Sequence, residues 1–389
     1  MTIRKTTGLL ALTAFGGLLV AGATSASALT YMSTVVASGL NNPRGIAFGA
    51  DGALYIAEGG TLNPGGPSTT TPEGGIAEYG DSGSITRVLG GVQTRIVEGL
   101  PALTATPSGS ASGPQDIAFY NGVGYVVIGL GGHPDIRTGD LGAAPGAANL
   151  ASLFAFDVGT FTKIADLGTY EKDFNPTGDQ VDSNPFHLTA GPNGLLVTDA
   201  GGNDLLNVTA GGAISTIATF PAMGGIDAVP TGISVGPDGA FYVGQLTGVP
   251  FIPGSANIFR IDATDGSSSV YASGFTNITD IAWGEDGSLY VLQFADDGIF
   301  SGSPGSIIKI DTDGTRSTVL GGLTAPTGLE IGLDGAIYVT NFSPVPGIGQ
   351  VLRIVAVPEP ATWALMIGGF AMAGAAMRRR RPGMTIRHA

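Results

Sequence analysis

The chain has 389 residues, with 31 Asp plus Glu against 17 Lys plus Arg, a net charge of −14, and 65 glycines. A 43% hydrophobic and 12% charged content excludes a disordered polymer, and glycines without a three-residue period exclude collagen. The absence of Cys excludes disulfides, thiolate metal sites and thiol nucleophiles, while the acidic balance excludes nucleic-acid partners because nothing would neutralise phosphates. In chain order, residues 1–28 read as a secretory signal: Arg4 and Lys5, an apolar stretch from Gly8 to Ala23, and the small-x-small site Ala26-Ser27-Ala28 before Leu29. Cleavage is expected between Ala28 and Leu29, with the Sec translocon and signal peptidase as partners.

The middle of the chain, residues 29–356, repeats one unit. An Asp-Gly or Asn-Gly turn recurs at Asp51-Gly52, Asn121-Gly122, Asn193-Gly194, Asp238-Gly239, Asp286-Gly287 and Asp334-Gly335, in steps of 70, 72, 45, 48 and 48 residues. Each turn lies between two short apolar runs, as in Ile281-Ala282-Trp283 and Leu289-Tyr290-Val291-Leu292, which is a hairpin signature. A third and fourth run follow, such as Ile307-Ile308-Lys309-Ile310 and Ser317-Thr318-Val319-Leu320. Four strands repeated six times predict an all-β fold, a six-bladed β-propeller of four-stranded blades. The sixth unit lacks a fourth strand, and Ser33 to Ser38 is a spare one, so the N-terminal strand is expected to complete the last blade and close the ring. The glycines become turn and close-packing residues. Long loops at 59–75, 131–149 and 170–185 burden the first three units and tilt any binding surface toward them.

The segment Leu40-Asn41-Asn42-Pro43-Arg44-Gly45, followed by Leu54-Tyr55-Ile56-Ala57-Glu58, resembles the ScyD/ScyE-type branch of NHL-like six-bladed propellers. The resemblance implies the fold over residues 31–356 and no particular activity.

In such a ring the first strand of each unit starts, and the second ends, at one axial mouth. The strand-start set is Arg44, Asp116, His187, Gly232, Asp280 and Gly328; the strand-end set is Glu58, Gly129, Asp199, Gln245, Gln293 and Asn341. These residues form the candidate binding mouth, with Arg44 and Glu58 able to pair across their hairpin. Glu58, Asp116, Asp199 and Asp280 are candidate oxygen ligands for Ca²⁺, and His187 beside Asp199 is the candidate general base. No cofactor motif is present. The Asp262 to Gly266 and Asp311 to Gly314 segments lack the downstream Glu of a calcium loop and read as hairpin turns. Tyr55, Tyr125, Tyr242, Tyr290 and Tyr338 recur at one second-strand position and read as packing between blades; Trp283 reads as core.

The C-terminal tail has three features in order: Pro358-Glu359-Pro360, an uncharged run from Ala361 to Met377, and Arg378-Arg379-Arg380-Arg381. At ~1.5 Å per residue the run approaches the ~30 Å of a bilayer, which predicts transient membrane insertion with the Arg cluster cytoplasmic. Residues 357–381 resemble the PEP-CTERM sorting tail, and 382–389 are a short extension. The resemblance implies an exosortase-type transpeptidase as partner and a mature protein on the surface or in the exopolysaccharide of a Gram-negative bacterium. Without its ends the chain carries about −20, since 30 acids and 10 bases fall within residues 29–357. The expected function is a monomeric binding or scaffold module of the envelope or exopolysaccharide. The alternative is an extracytoplasmic lactonase-, lyase- or sugar-dehydrogenase-like enzyme using the polar mouth.

Overall fold

The computed structural model describes residues 30–72, 74–357 and 360–379. Residues 31–356 form one compact unit; the remaining described residues belong to a second. Alternating apolar runs broken by Gly, Asn and Asp leave the large unit almost entirely β. The chain opens with β1 (Thr30–Leu40). The first sheet contains β2 (Pro43–Phe48), β3 (Leu54–Glu58), β4 (Ser68–Thr70), β5 (Ile76–Leu89), β6 (Val92–Thr106) and β7 (Ala111–Ser112). The second has β8 (Pro114–Tyr120), β9 (Val123–Ile128), β10 (Ser152–Asp157) and β11 (Thr160–Asp166), after which comes the helix α1 (Leu167–Phe174). The third has β12 (Pro185–Gly191), β13 (Gly194–Asp199), β14 (Asp204–Val208) and β15 (Ile214–Thr219). The fourth has β16 (Pro230–Val235), β17 (Phe241–Gln245), β18 (Ala256–Ile261) and β19 (Ser268–Phe275). The fifth has β20 (Ile278–Trp283), β21 (Leu289–Gln293), β22 (Gly305–Ile310) and β23 (Arg316–Leu323). The last has β24 (Leu329–Ile331), β25 (Ile337–Asn341) and β26 (Gly349–Val357), and its fourth strand is β1.

Within each sheet the order follows the chain, so the expected four-stranded meander is present, with β1 where the spare strand was placed. The first strands β2, β8, β12, β16, β20 and β24 lie side by side in that order, and β24 again neighbours β2. At these contacts backbone meets backbone: a Cβ on Gly232 would run into Asp280, and one on Gly328 into Arg44. The core fills the spaces between sheets. Leu153 and Val127 of the second sheet pack with Leu195 and Val197 of the third, and Val351 of the last packs with Ile46 and Ile56 of the first.

The recurring tyrosines span those same spaces. Tyr55 meets Phe119 of the next sheet edge-on, with ring centroids 4.9 Å apart; Tyr242 meets Trp283, and Tyr338 meets Phe48, at the same separation. The repeated Asp supports them. Asp51, Asp238 and Asp334 each accept a backbone N–H two residues on and a hydrogen bond from Arg87, Arg260 and Arg353 respectively. Of the recurring turns only Asn121-Gly122 has both residues at positive φ, 51° and 79°; at Asp51, Asp238, Asp286 and Asp334 the Asp side chain accepts a backbone N–H two residues on and shapes the turn.

Three features depart from the expectation. The loop at 59–75 contributes β4, and β5 and β6 extend well past the expected runs, making the first sheet six-stranded. The loop at 170–185 begins within α1, whose N-terminus is capped by the Asp166 carboxylate accepting from Thr169 N. The third departure concerns the tail. Its uncharged run does form a helix, α2 (Pro360–Arg379), but among the described residues no helix is long and apolar enough to cross a membrane. The expected membrane span is therefore corrected: the described helix, which ends at Arg378 and Arg379, does not meet that requirement. The signal, its Ala28/Leu29 site, and Pro358, Glu359, Arg380 and Arg381 lie outside the described residues.

Candidate functional site

The first strands β2, β8, β12, β16 and β20 each begin with a register irregularity, which alters where their side chains point. The register slips between Pro114 and Asp116, between Pro185 and His187, and between Ile278 and Asp280, so these three residues leave the regular alternation. Three separate sheets thereby deliver one cluster. His187 Nδ1 lies 2.8 Å from Asp116 Oδ2, and Nε2 lies 3.0 Å from Asp280 Oδ2. Both contacts are at ion-pair distance but off the line of the ring N–H bonds. The carboxylates are tied to the next strands: Leu188 N donates to Asp116 and Leu329 N to Asp280, at 2.9 and 2.6 Å.

Burial alone would drive the imidazole neutral, but the charges of Asp116 and Asp280 override it and hold its pKa well above 6.5. Burial raises Asp280 and the facing imidazolium opposes that rise. Below the cluster is a cavity of about 300 Å³ lined by Asp116, His187, Thr189, Ser234, Asp280 and Glu330. Glu330 was not anticipated. Burial, then the charges of Asp280 and Asp116, raise its pKa to about 8, so it is mostly protonated at neutral pH. Its position in the fifth-to-sixth-unit repeat, two residues past Gly328, was the available signal.

The strand-end residues do different work. Glu58 Oε2 accepts from Asn41 N at 2.6 Å, Asp199 Oδ1 from Asn184 N at 2.6 Å, Gln293 Oε1 from Thr276 N at 2.8 Å and Asn341 Oδ1 from Thr324 N at 2.7 Å. In four sheets, then, the end of the second strand holds the backbone leading into the first. Gln245 instead accepts from Asn257 of its third strand, and Gly129 packs against Asn184 and Gln115. These are staples of the sheets, with their acceptors already engaged.

Arg44 does not pair with Glu58. Its Nη2 donates to Ala111 O at 2.6 Å and Ser110 Oγ at 3.3 Å, and burial lowers its pKa to about 10. Glu58 is taken by Arg95, at 2.9 Å, and by Thr86. His187 likewise stands with Asp116 and Asp280, and Asp199 stands elsewhere, bound to Ser183, Asn184, Gly201 and Gly202. The four candidate calcium ligands are thus divided among three settings. Among the described residues no group of three or more His, Asp or Glu is arranged to hold a metal ion.

Around Asp199 the fold gathers acids that sequence spacing could not associate. Asp204 enters from β14 opposite Asp199 and Glu171 from α1; both are buried, at 1% and 2% exposure. Burial raises Asp199 despite its four donors, and it raises Asp204 strongly, reinforced by the charges of Asp199 and Glu171. Burial, then Asp199 and Asp182, take Glu171 to about 7. The only cheap sequence hint was the acid-rich composition of 166–204.

Sheets of this form, arranged around shared first strands, define a β-propeller. Residues 356–381 match the PEP-CTERM protein-sorting motif, which marks exported, exosortase-sorted proteins of Gram-negative bacteria. No curated protein matches the sequence. Among solved structures, a putative oxidoreductase (glucose dehydrogenase) from Thermus thermophilus is 17% identical, with 84% of this chain and 100% of that chain covered and a TM-score of 0.53. The PQQ-bound aldose sugar dehydrogenase from Streptomyces coelicolor is 13% identical, with 84% and 99% covered and a TM-score of 0.51. A catalytically inactive virginiamycin B lyase from Staphylococcus aureus is 15% identical, with 85% and 100% covered and a TM-score of 0.49. At these identities the first two show the fold and not the activity.

Proposed function

We propose that this exported protein is a closed six-bladed propeller acting as a binding or scaffold module at the cell surface or in the extracellular polymer. Closure is supported by β1 completing the sheet of β24, β25 and β26, by Thr327 Oγ1 donating to Pro43 O at 2.9 Å, and by the Tyr338–Phe48 contact between last and first sheets. The ScyD/ScyE-type segment around Pro43 and Arg44 fits that ring.

The observation that carries the functional reading is the state of His187. A general base needs a lone pair at working pH and a path to substrate. This imidazole is buried, charged and held on both sides by carboxylates, so it is a structural cation joining three sheets. With the strand-end residues also engaged, the mouth offers surface for recognition and no assembled nucleophile or base.

The test is to incubate the purified full chain with extracellular polymer from the producing bacterium, following retention and the appearance of new chain ends together. Saturable retention with an unchanged polymer is expected. Product formation that disappears in His187→Gln, at an unchanged melting temperature, would overturn the reading.

A further inference from the structure

A second cavity, of about 610 Å³, opens where β13 and β17 end and β12 and β16 begin. Its lining combines two unlike chemistries. Asp182 and Asp227 are the charged side chains on it, and no Lys, Arg or His is among the lining residues. Phe251 and Phe300 form an apolar side, with rings 5.1 Å apart and edge to face; Phe300 is 75% exposed, with Val249 also exposed nearby. Leaving such a ring in water forfeits the free energy of its burial, so an exposed aromatic pair beside a pocket points to a surface that something covers.

The lining carboxylates, with no cation among the lining residues, give the cleft a negative character. Fields of one sign add in a cleft with low-dielectric walls. An anionic ligand is repelled there, and a purely apolar one would strip water from the exposed Asp227 without replacing it. A cation carried on a body with an apolar face satisfies both sides, pairing with the Asp227 carboxylate while its ring or C–H face lies on the aromatic pair.

We propose that this cavity binds a protonated amine borne on a saccharide ring, an amino-sugar unit of a polymer. The proposal rests on the binding-module reading above and supplies its ligand class. Asp227, exposed on the rim, meets the ammonium, and Phe300 carries the sugar's apolar face.

The experiment is calorimetric titration of the full chain, at low salt and neutral pH, with glucosamine tetrasaccharide and with its fully N-acetylated counterpart. The free-amine form is expected to bind at least about tenfold more tightly, because acetylation removes the charge. Asp227→Asn and Phe300→Ala should each weaken it about fivefold or more with melting temperature unchanged, and Asp227→Glu should restore binding. Equal affinity for the two oligosaccharides, absence of binding by the amine form, or indifference to both substitutions would overturn it. Retention of native polymer in any of those cases would leave the module reading standing, so the two fail separately.

Discussion

Buried ionisable side chains are the most informative residues in this protein, because each reveals what surrounds it. Glu171 illustrates the arithmetic. Its folded pKa of about 7 exceeds the ordinary 4.5, so folding favours the protonated carboxyl. That contribution is complete below the unfolded value and disappears as pH rises through the folded one. Glu330, Asp204 and His187 are shifted the same way, so all four weaken the fold toward alkaline pH. The full chain should therefore lose stability between about pH 5 and pH 8, at ~1.4 kcal/mol per unit of pKa difference for each group. Glu171→Gln should flatten the pH 5–7 part of that profile and raise the melting temperature at pH 8. An unchanged profile in chemical denaturation across this range would show that the acid cluster is not burdened as the geometry implies. The candidate residues themselves were only half legible. The period of the repeat placed Asp116, His187 and Asp280 at one level, but it could not tell which would touch; the register slips at the strand starts decided that.

At the scale of elements, the decisive strand is β1. It is exposed along most of its length, yet Ala37 and Leu40 are buried with Ile46, Ile56 and Val351. Removing residues 31–38 would bare the edge of β26 and open that cluster together, a loss of a few kcal/mol. At about 2–4 °C per kcal/mol for a domain of this class, the melting temperature should fall by roughly 5–10 °C as one transition. A truncated chain melting at the full-length temperature would refute closure by β1. The four-strand meander and the spare strand were readable because apolar runs, Asp-Gly turns and their spacing are local signals. β4 and the extensions of β5 and β6 were not, because they adjoin a Gly-, Pro- and Thr-rich stretch and their pairing is set by the neighbour they rest on; nor was the eight-residue α1.

For the whole molecule, address and fold are separable. Residues 31–356 and the sorting tail fall in different compact units, and the tail alone carries the motif match. Replacing Arg378 to Arg381 with Gln should leave the propeller's melting temperature unchanged while unprocessed protein accumulates. Electrophoretic mobility of the cell-associated and released forms checks this; normal processing of the variant would remove the Arg cluster from the sorting signal.

The sequence by itself determined the sorting tail, the repeated four-stranded sheets, the tyrosine contacts between sheets and the placement of β1, because each follows from short-range pattern and chain order. Only the tertiary structure decided that the strand-end polar residues are staples. It also decided that His187 stands between Asp116 and Asp280 and that Glu171 and Asp204 join Asp199. These outcomes depend on which side chains meet across separate sheets, and on how much water is left between them.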